Sequence, residues 1–349
     1  MAHLWGKLQG QGTSLHAQTG IRHGLPRCLT VSRQQADAGG DAGGDAGGNM
    51  LPVRSTFFRL ICLGLAIMMA LLSLPGQAQS AAASAAPANE DTLARIKRTG
   101  TVVLGYRSDA RPFSFKGVDG QPAGYSVDLC KTVAAALAER LRLPQLKTRW
   151  QAVTPADRVD QVRKGTVDLE CGTTTRTLAR EAQVDFSHTI FVDGLSLMSL
   201  AGAQLTKTTD VQGKRIGVVA GTTGASRIGP ALAAVGVNAQ LVTLTDYRDG
   251  INAIDAGKVD LLAGDRGVLV GTALDAPGRA YSLMQDMFSV EPYALMMARD
   301  PAFRYEVNRA LSRFYRSGEI QTTYNHWLQP YGEPTRVMSA VFQLYALPD

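Results

Sequence analysis

The side chains best placed for chemistry in this chain are arginines and threonines at turns. Residues 167–180 read VDLECGTTTRTLAR. A short apolar stretch turns at Gly172 into three hydroxyls, Thr173, Thr174 and Thr175, and then enters a helix-like segment that carries Arg180. Such a turn presents free backbone N–H groups and the positive end of a helix dipole, which suits an anion. The hydroxyls add donors, and Arg180 adds a planar fork that matches a carboxylate. Arg107 follows the apolar run 101–106, Arg158 follows Pro155, and Asp265 follows the run 259–263. Thr222 and Thr223 lie in a second hydroxyl-rich turn, Gly221–Gly224. Plain readings exist for each. A threonine can cap a helix, Arg107 can reach water from a strand end, and Arg158 can pair with Asp157. Asp265 and Arg266 can form a surface pair of little energetic consequence. Asp168 and Glu170, two apart on a strand, point the same way, but strand ends commonly expose such residues, so catalysis by the pair is not expected.

The elements around these residues alternate. Strands are expected at 101–106, 146–153 and 167–171, with helices at 124–141 and 155–165 between them. Alternation of this kind argues for a parallel sheet covered by helices, with ligands beyond the carboxyl ends of the strands. Arg107, Arg158 and the 173–180 segment fall at or just past such ends. A second series repeats the plan, with strands at 215–219, 241–244, 259–263 and 280–284 and helices at 221–235, 246–256 and 268–274. The chain therefore reads as two α/β lobes. Extended stretches at 191–200 and 290–297 would carry the chain between lobes twice and form a hinge. Helices at 301–316 and 319–328 would return to the first lobe. The expected division is 92–193 with 290–334 for lobe one, 194–289 for lobe two, and a tail at 335–349. The tail either packs on lobe one or mediates association.

Residues 60–74, LICLGLAIMMALLSL, follow Arg54 and Arg59 and precede Pro75-Gly76-Gln77-Ala78. This is a secretory signal with cleavage expected near Ala78, and the apolar run is shorter than the ~20 residues of a spanning helix. Residues 1–49 lack periodicity and contain DAGGDAGGDAGG, so they are expected to be disordered or untranslated, with a start at Met50. The signal would then be 50–78 and a linker 79–91. Of the net charge of +6, half precedes Gln79, where 6 Lys/Arg face 3 Asp/Glu; the remainder carries 30 against 27. That balance does not suggest a nucleic-acid partner. Cys130 and Cys171 remain after the signal. Export would permit them to pair, geometry decides, and the reading leans towards two unpaired thiols. No cysteine or histidine spacing suggests a metal, and no cofactor is expected.

At 105–115, GYRSDARPFSF, 124–130, GYSVDLC, 167–180, and 210–226, DVQGKRIGVVAGTTGAS, the chain resembles the solute-binding proteins of polar amino-acid ABC importers (family 3). Within that family it is most similar to the glutamate/aspartate-binding branch, over roughly residues 90–330. The resemblance implies a type II periplasmic binding-protein fold and a monomer that captures L-glutamate or L-aspartate in the periplasm and delivers it to a membrane permease. It implies that Thr173, Thr175 and Arg180 hold the α-carboxylate, Arg107 and Arg158 the side-chain carboxylate, and Asp265 the ammonium. It also implies that the Gly221-Thr222-Thr223 turn meets the ligand on closure. Two positions depart from the branch: Tyr247 stands where a histidine is expected, and Pro155 where a serine is. A second reading on the same fold is an exported cyclohexadienyl dehydratase acting on prephenate or arogenate, with Asp168 and Glu170 as its candidate acids.

Overall fold

The computed structural model describes residues 90–276 and 278–348. The expected Met50 start, the signal and the linker as far as residue 89 lie outside the described residues. Helix α1 (Thr92–Thr99) starts at Asp91, whose carboxylate accepts from the Ala94 N–H, and ends at Gly100 in the left-handed region. Strand β1 (Thr101–Tyr106) follows, buried at its four central positions. β2 (Asp109–Ala110), β3 (Ser114–Lys116) and β4 (Pro122–Ala123) then form a small antiparallel sheet that the alternation did not suggest. α2 (Tyr125–Leu141) buries the face bearing Val127, Cys130, Val133, Ala134 and Leu137. β5 (Lys147–Ala152), α3 (Arg158–Arg163), β6 (Leu169–Glu170) and α4 (Leu178–Glu181) complete this series.

β7 (Asp185–Leu200) is 16 residues long and begins before the extended stretch expected at 191. β8 (Arg215–Val219), α5 (Thr223–Ala233), β9 (Gln240–Leu244), α6 (Tyr247–Asp255), β10 (Leu261–Asp265), α7 (Arg266–Leu274) and β11 (Tyr281–Leu283) form the second series. β12 (Ser289–Met297) leads to α8 (Pro301–Ser317), α9 (Glu319–Leu328) and α10 (Arg336–Leu344).

The main sheet runs β5-β1-β6-β12-β7-β10-β8-β9, with β11 also on β7. β5, β1 and β6 are parallel to one another, as are β10, β8 and β9. The two parallel groups meet only through β7 and β12, which pair antiparallel from Ser289↔Leu195 to Met297↔Asp185. Each parallel group needs helical crossovers, which cover its faces. Two lobes joined by two strands follow from that connectivity.

Cys130 and Cys171 are bonded, with Cα atoms 6.1 Å apart, so the reading that leaned towards free thiols is corrected. Cys130 lies on the inward face of α2 and Cys171 directly follows β6, and the helix packs where the strand ends. A separation of 41 residues in sequence conceals that contact. The tail packs on the first half of β7 and on α8 and α9. α10 buries Met338 and Phe342, the Val192 N–H donates to the Met338 sulfur, and Tyr345 stacks on His188 with ring centroids 4.4 Å apart.

Candidate functional site

The cleft between the lobes has a cationic wall, which grows from the strand ends of the first series. Arg107 directly follows β1 and is 1% exposed. Its Nε and Nη2 donate to Asp109 Oδ1 and Oδ2 at 2.9 and 2.8 Å. Arg158 opens α3 and is 2% exposed, and its Nε and Nη1 are buried with no hydrogen-bond partner. The plain readings of these two as solvated arginines, and of Arg158 as a partner of Asp157, do not match this burial. Burial holds Arg158 down at about 10; the charges of Arg180 and Arg107 act in the same direction and Glu170 opposes them. A buried cation with open donors is costly, and an anion placed against them offsets that cost.

The turn after β6 supplies the rest of this wall. Glu170 is fully buried; its Oε2 accepts from the Thr174 hydroxyl at 2.7 Å and its Oε1 has no partner. A Cβ at position 172 would lie 2.1 Å from Glu170 Oε1, so Gly172 is what lets the carboxylate and the hydroxyl turn coexist. Thr173 and Thr175 are buried beside it. Arg180 reaches back to the Thr175 carbonyl (Nη1, 2.7 Å) and across to the Gly221 carbonyl of lobe two (Nη2, 3.1 Å). Burial lowers its pKa, opposed by Glu170, Glu291 and Asp265. Asp168 faces elsewhere. It accepts from the Val103 N–H at 2.8 Å and pairs with Arg95, so the expected exposed pair of acids is two buried carboxylates with separate structural partners.

Lobe two contributes the opposite wall. Thr223 brings its hydroxyl to 3.5 Å from that of Thr175. Thr222 caps α5: its hydroxyl accepts from the Ala225 N–H and donates to the Val219 carbonyl, so both of its bonds stay within its own lobe. Gly221 has φ +77° and approaches lobe one so closely that a Cβ would lie 2.4 Å from the Pro155 carbonyl. Tyr247 opens α6, is buried, and lies with its ring centroid 6.0 Å from Arg107 Cζ. Burial and then the charge of Asp265 raise its phenol above the ordinary value.

Asp265 ends β10 and is 7% exposed. It accepts from the Tyr293 hydroxyl, which also lies 3.4 Å from Asp193 Oδ2. Arg266 turns away to the Met284 carbonyl and Ser196, so no Asp265–Arg266 surface pair forms. Asp193 further accepts from the Gly194 and Gly267 N–H groups at 2.8 and 3.0 Å. Burial, then the charges of Asp193 and Glu291, raise Asp265 above the ordinary carboxylate range; burial also raises Asp193. Asp193 and Tyr293 were absent from the sequence reading. They lie on β7 and β12, and the pairing of β7 with both β12 and β10 brings them to Asp265. The pattern Val-Asp-Gly at 192–194, an acid inside an apolar strand, was the available signal.

Of the nine residues expected at the site, Arg107, Arg158, Thr175, Arg180, Thr223, Tyr247 and Asp265 are linked by short contacts or charge interactions, whereas Thr173 is buried in the turn after β6 and Thr222 caps α5. Arg107, Arg180, Glu170 and Tyr247 all act on Arg158, and Arg158 in turn acts on Asp265. Two α/β lobes joined by two strands, with buried cations on one side and buried carboxylates on the other, are the architecture of a two-lobed binding protein. Residues 102–330 match the family described as bacterial extracellular solute-binding proteins, family 3, and the chain belongs to it. It is 34% identical over 268 residues to the L-glutamate/L-aspartate-binding protein of Pseudomonas aeruginosa, covering 76% of this chain and 86% of that one. It is 28% identical to the glutamate/aspartate import solute-binding protein of Escherichia coli, covering 75% and 87%. Among solved structures, an ancestral amino acid-binding protein described as a precursor of cyclohexadienyl dehydratase aligns with a TM-score of 0.59. That match is at 23% identity and covers 68% of this chain and 99% of the other.

Proposed function

We propose that this protein captures an acidic amino acid, L-glutamate or L-aspartate, in the periplasm and delivers it as a monomer to an ABC permease. The observation that carries this is Arg158, a buried guanidinium with two unpartnered donors that feels the charges of Arg180, Glu170 and Arg107. A ligand carboxylate supplies what it lacks. In this reading Arg180 with Thr173 and Thr175 holds the α-carboxylate, Arg158 holds the side-chain carboxylate with Arg107 beside it, and Asp265 holds the ammonium. Asp193 joins Asp265 through Tyr293. Every charge of the ligand then meets an opposite one, as burial demands. Closure is linked to the ligand because the two walls belong to different lobes. Tyr247 contributes an uncharged donor where the branch has a histidine.

Calorimetry with glutamate, aspartate, glutamine and asparagine tests the reading. The acids are expected to bind more tightly than the amides, and equal affinities would overturn the role of Arg158. Export would proceed by cleavage near Ala78, which N-terminal peptide mapping checks. The dehydratase reading loses one of its two acids, because Asp168 is bound to Arg95 and the Val103 N–H. Incubation with prephenate should yield no phenylpyruvate.

A further inference from the structure

Arg107 and Arg158 are both buried on the same wall, but Arg107 is already paired with a carboxylate, whereas Arg158 Nε and Nη1 have no partner. Asp109 takes the fork of Arg107 with both carboxylate oxygens, at 2.9 and 2.8 Å. Asp109 Oδ2 also accepts, at 3.2 Å, from the N–H of Tyr247, the first residue of α6 in lobe two. The carboxylate thus does two things. It neutralises a cation on the side-chain wall, and it joins the lobes.

We propose that Asp109 is a specificity-determining residue: by pairing with Arg107 it leaves Arg158 as the one cation of the side-chain subsite not already matched by a carboxylate. The inference rests on the binding reading above. A distal carboxylate and a distal amide differ at this subsite by one negative charge. The benefit of that charge scales with the cations free to meet it, since bonds to charged groups are the strong ones. With Arg107 already paired, the preference for acid over amide is set by one arginine. Releasing the Arg107 fork adds a second partner for the acid and none of equal strength for the amide. Loss of the Tyr247 contact, by contrast, removes an interlobe bond that every ligand uses on closure. That loss weakens acids and amides alike and cancels in their ratio.

The test is calorimetry of glutamate, glutamine, aspartate and asparagine with the wild-type protein and with Asp109→Ser and Asp109→Asn. The ratio of amide Kd to acid Kd should rise by about tenfold or more in Asp109→Ser. It should rise by less in Asp109→Asn, which keeps a neutral acceptor between Arg107 and Tyr247. Ratios within about threefold of wild type in both variants, against roughly the tenfold that one charged bond supplies, would overturn the proposal. If circular dichroism shows Asp109→Ser unfolded, the nearly isosteric Asp109→Asn decides by the same ratio. A wild-type protein that binds none of the four amino acids would end the binding reading and this inference together. A wild type that prefers acids, with ratios unmoved in the variants, would end only the role of Asp109.

Discussion

The two walls of the cleft are built by different means. The cationic wall comes from consecutive strand ends of one lobe: Arg107 after β1, Arg158 at the start of α3, and Arg180 beyond the hydroxyl turn after β6. The acidic wall is assembled from three separate strands. Asp265 ends β10, while Asp193 and Tyr293 come from the two strands that cross between lobes. The first wall is drawn from one lobe, with Arg180 reaching across to the Gly221 carbonyl of the other. The second depends on how the hinge strands pair with each other and with β10. In the cationic wall the charges repel, and the guanidiniums of Arg158 and Arg180 are driven down by burial. In the acidic wall Asp265 and Asp193 are driven up by burial, and Asp265 also by the charges of Asp193 and Glu291. Each wall is unfavourable alone, and a zwitterion with one extra negative charge relieves both.

The sharpest way to separate the walls is Arg158→Met. It should weaken glutamate and aspartate by about a hundredfold and the amides by much less, read by calorimetry. The ligand-free unfolding temperature should hold or rise, because the guanidinium is buried at a net cost. An unchanged acid affinity would remove the cationic wall from recognition. Asp265→Asn comes next, with a loss of about tenfold to a hundredfold. Here acids and amides should weaken together, since every amino acid carries the ammonium; a selective loss of one class would break the division between walls.

The effect of pH on affinity is smaller and follows from the acidic wall. Burial lifts Asp265 to about 8 and Asp193 to about 6. Their folded values exceed the unfolded value of about 4. In the ligand-free protein, the stability they contribute is therefore full below about pH 4 and is lost as pH rises through the folded values. A bound ammonium favours the ionised forms, so binding releases protons near neutral pH and affinity falls as pH drops below about 8. The groups facing Asp265 here are Asp193, Glu291, Tyr293 and Arg158. Calorimetry in buffers of different ionisation enthalpy reads the released protons, and an absence of buffer dependence would contradict the raised values. Thr222→Ala should have the smallest effect on binding. It removes a helix cap that costs about 1 kcal/mol of stability, seen as a lower unfolding temperature. Affinity should change little, because both bonds of the hydroxyl stay within lobe two.

The alternation of strands and helices was legible because the buried strands and amphipathic helices each carry their own period. β1, β8 and β10 lie where apolar runs end in turns, and α2 lies where Val127, Cys130, Val133 and Leu137 recur at helical spacing. The small sheet β2-β3-β4 was missed because strands of two or three residues have no period to read. The first six residues of β7 were missed because DFSHTI mixes polar and apolar residues at a strand buried unevenly on its two faces. Arg107, Arg158, Arg180 and Asp265 could be named from their positions at turns. Their partners could not. Asp109 is two residues from Arg107, but nothing in the sequence shows that it also meets the N–H of Tyr247 at the start of α6.

Residue type and local order by themselves determined that this chain makes strand–helix units with hydroxyl turns and arginines at their ends, because those signals act over a few residues. Tertiary structure alone decided which charges meet. Asp109 was matched to Arg107, Asp193 and Tyr293 to Asp265, and Cys130 to Cys171, while Arg158 was left with open donors. The Asp193–Tyr293–Asp265 and Cys130–Cys171 contacts depend on strand pairing and packing over long sequence separations, and the local Arg107–Asp109 pair meets lobe two only through the Tyr247 N–H. A side chain's charge is written in the sequence, but its nearest partner is set by the path of the folded backbone.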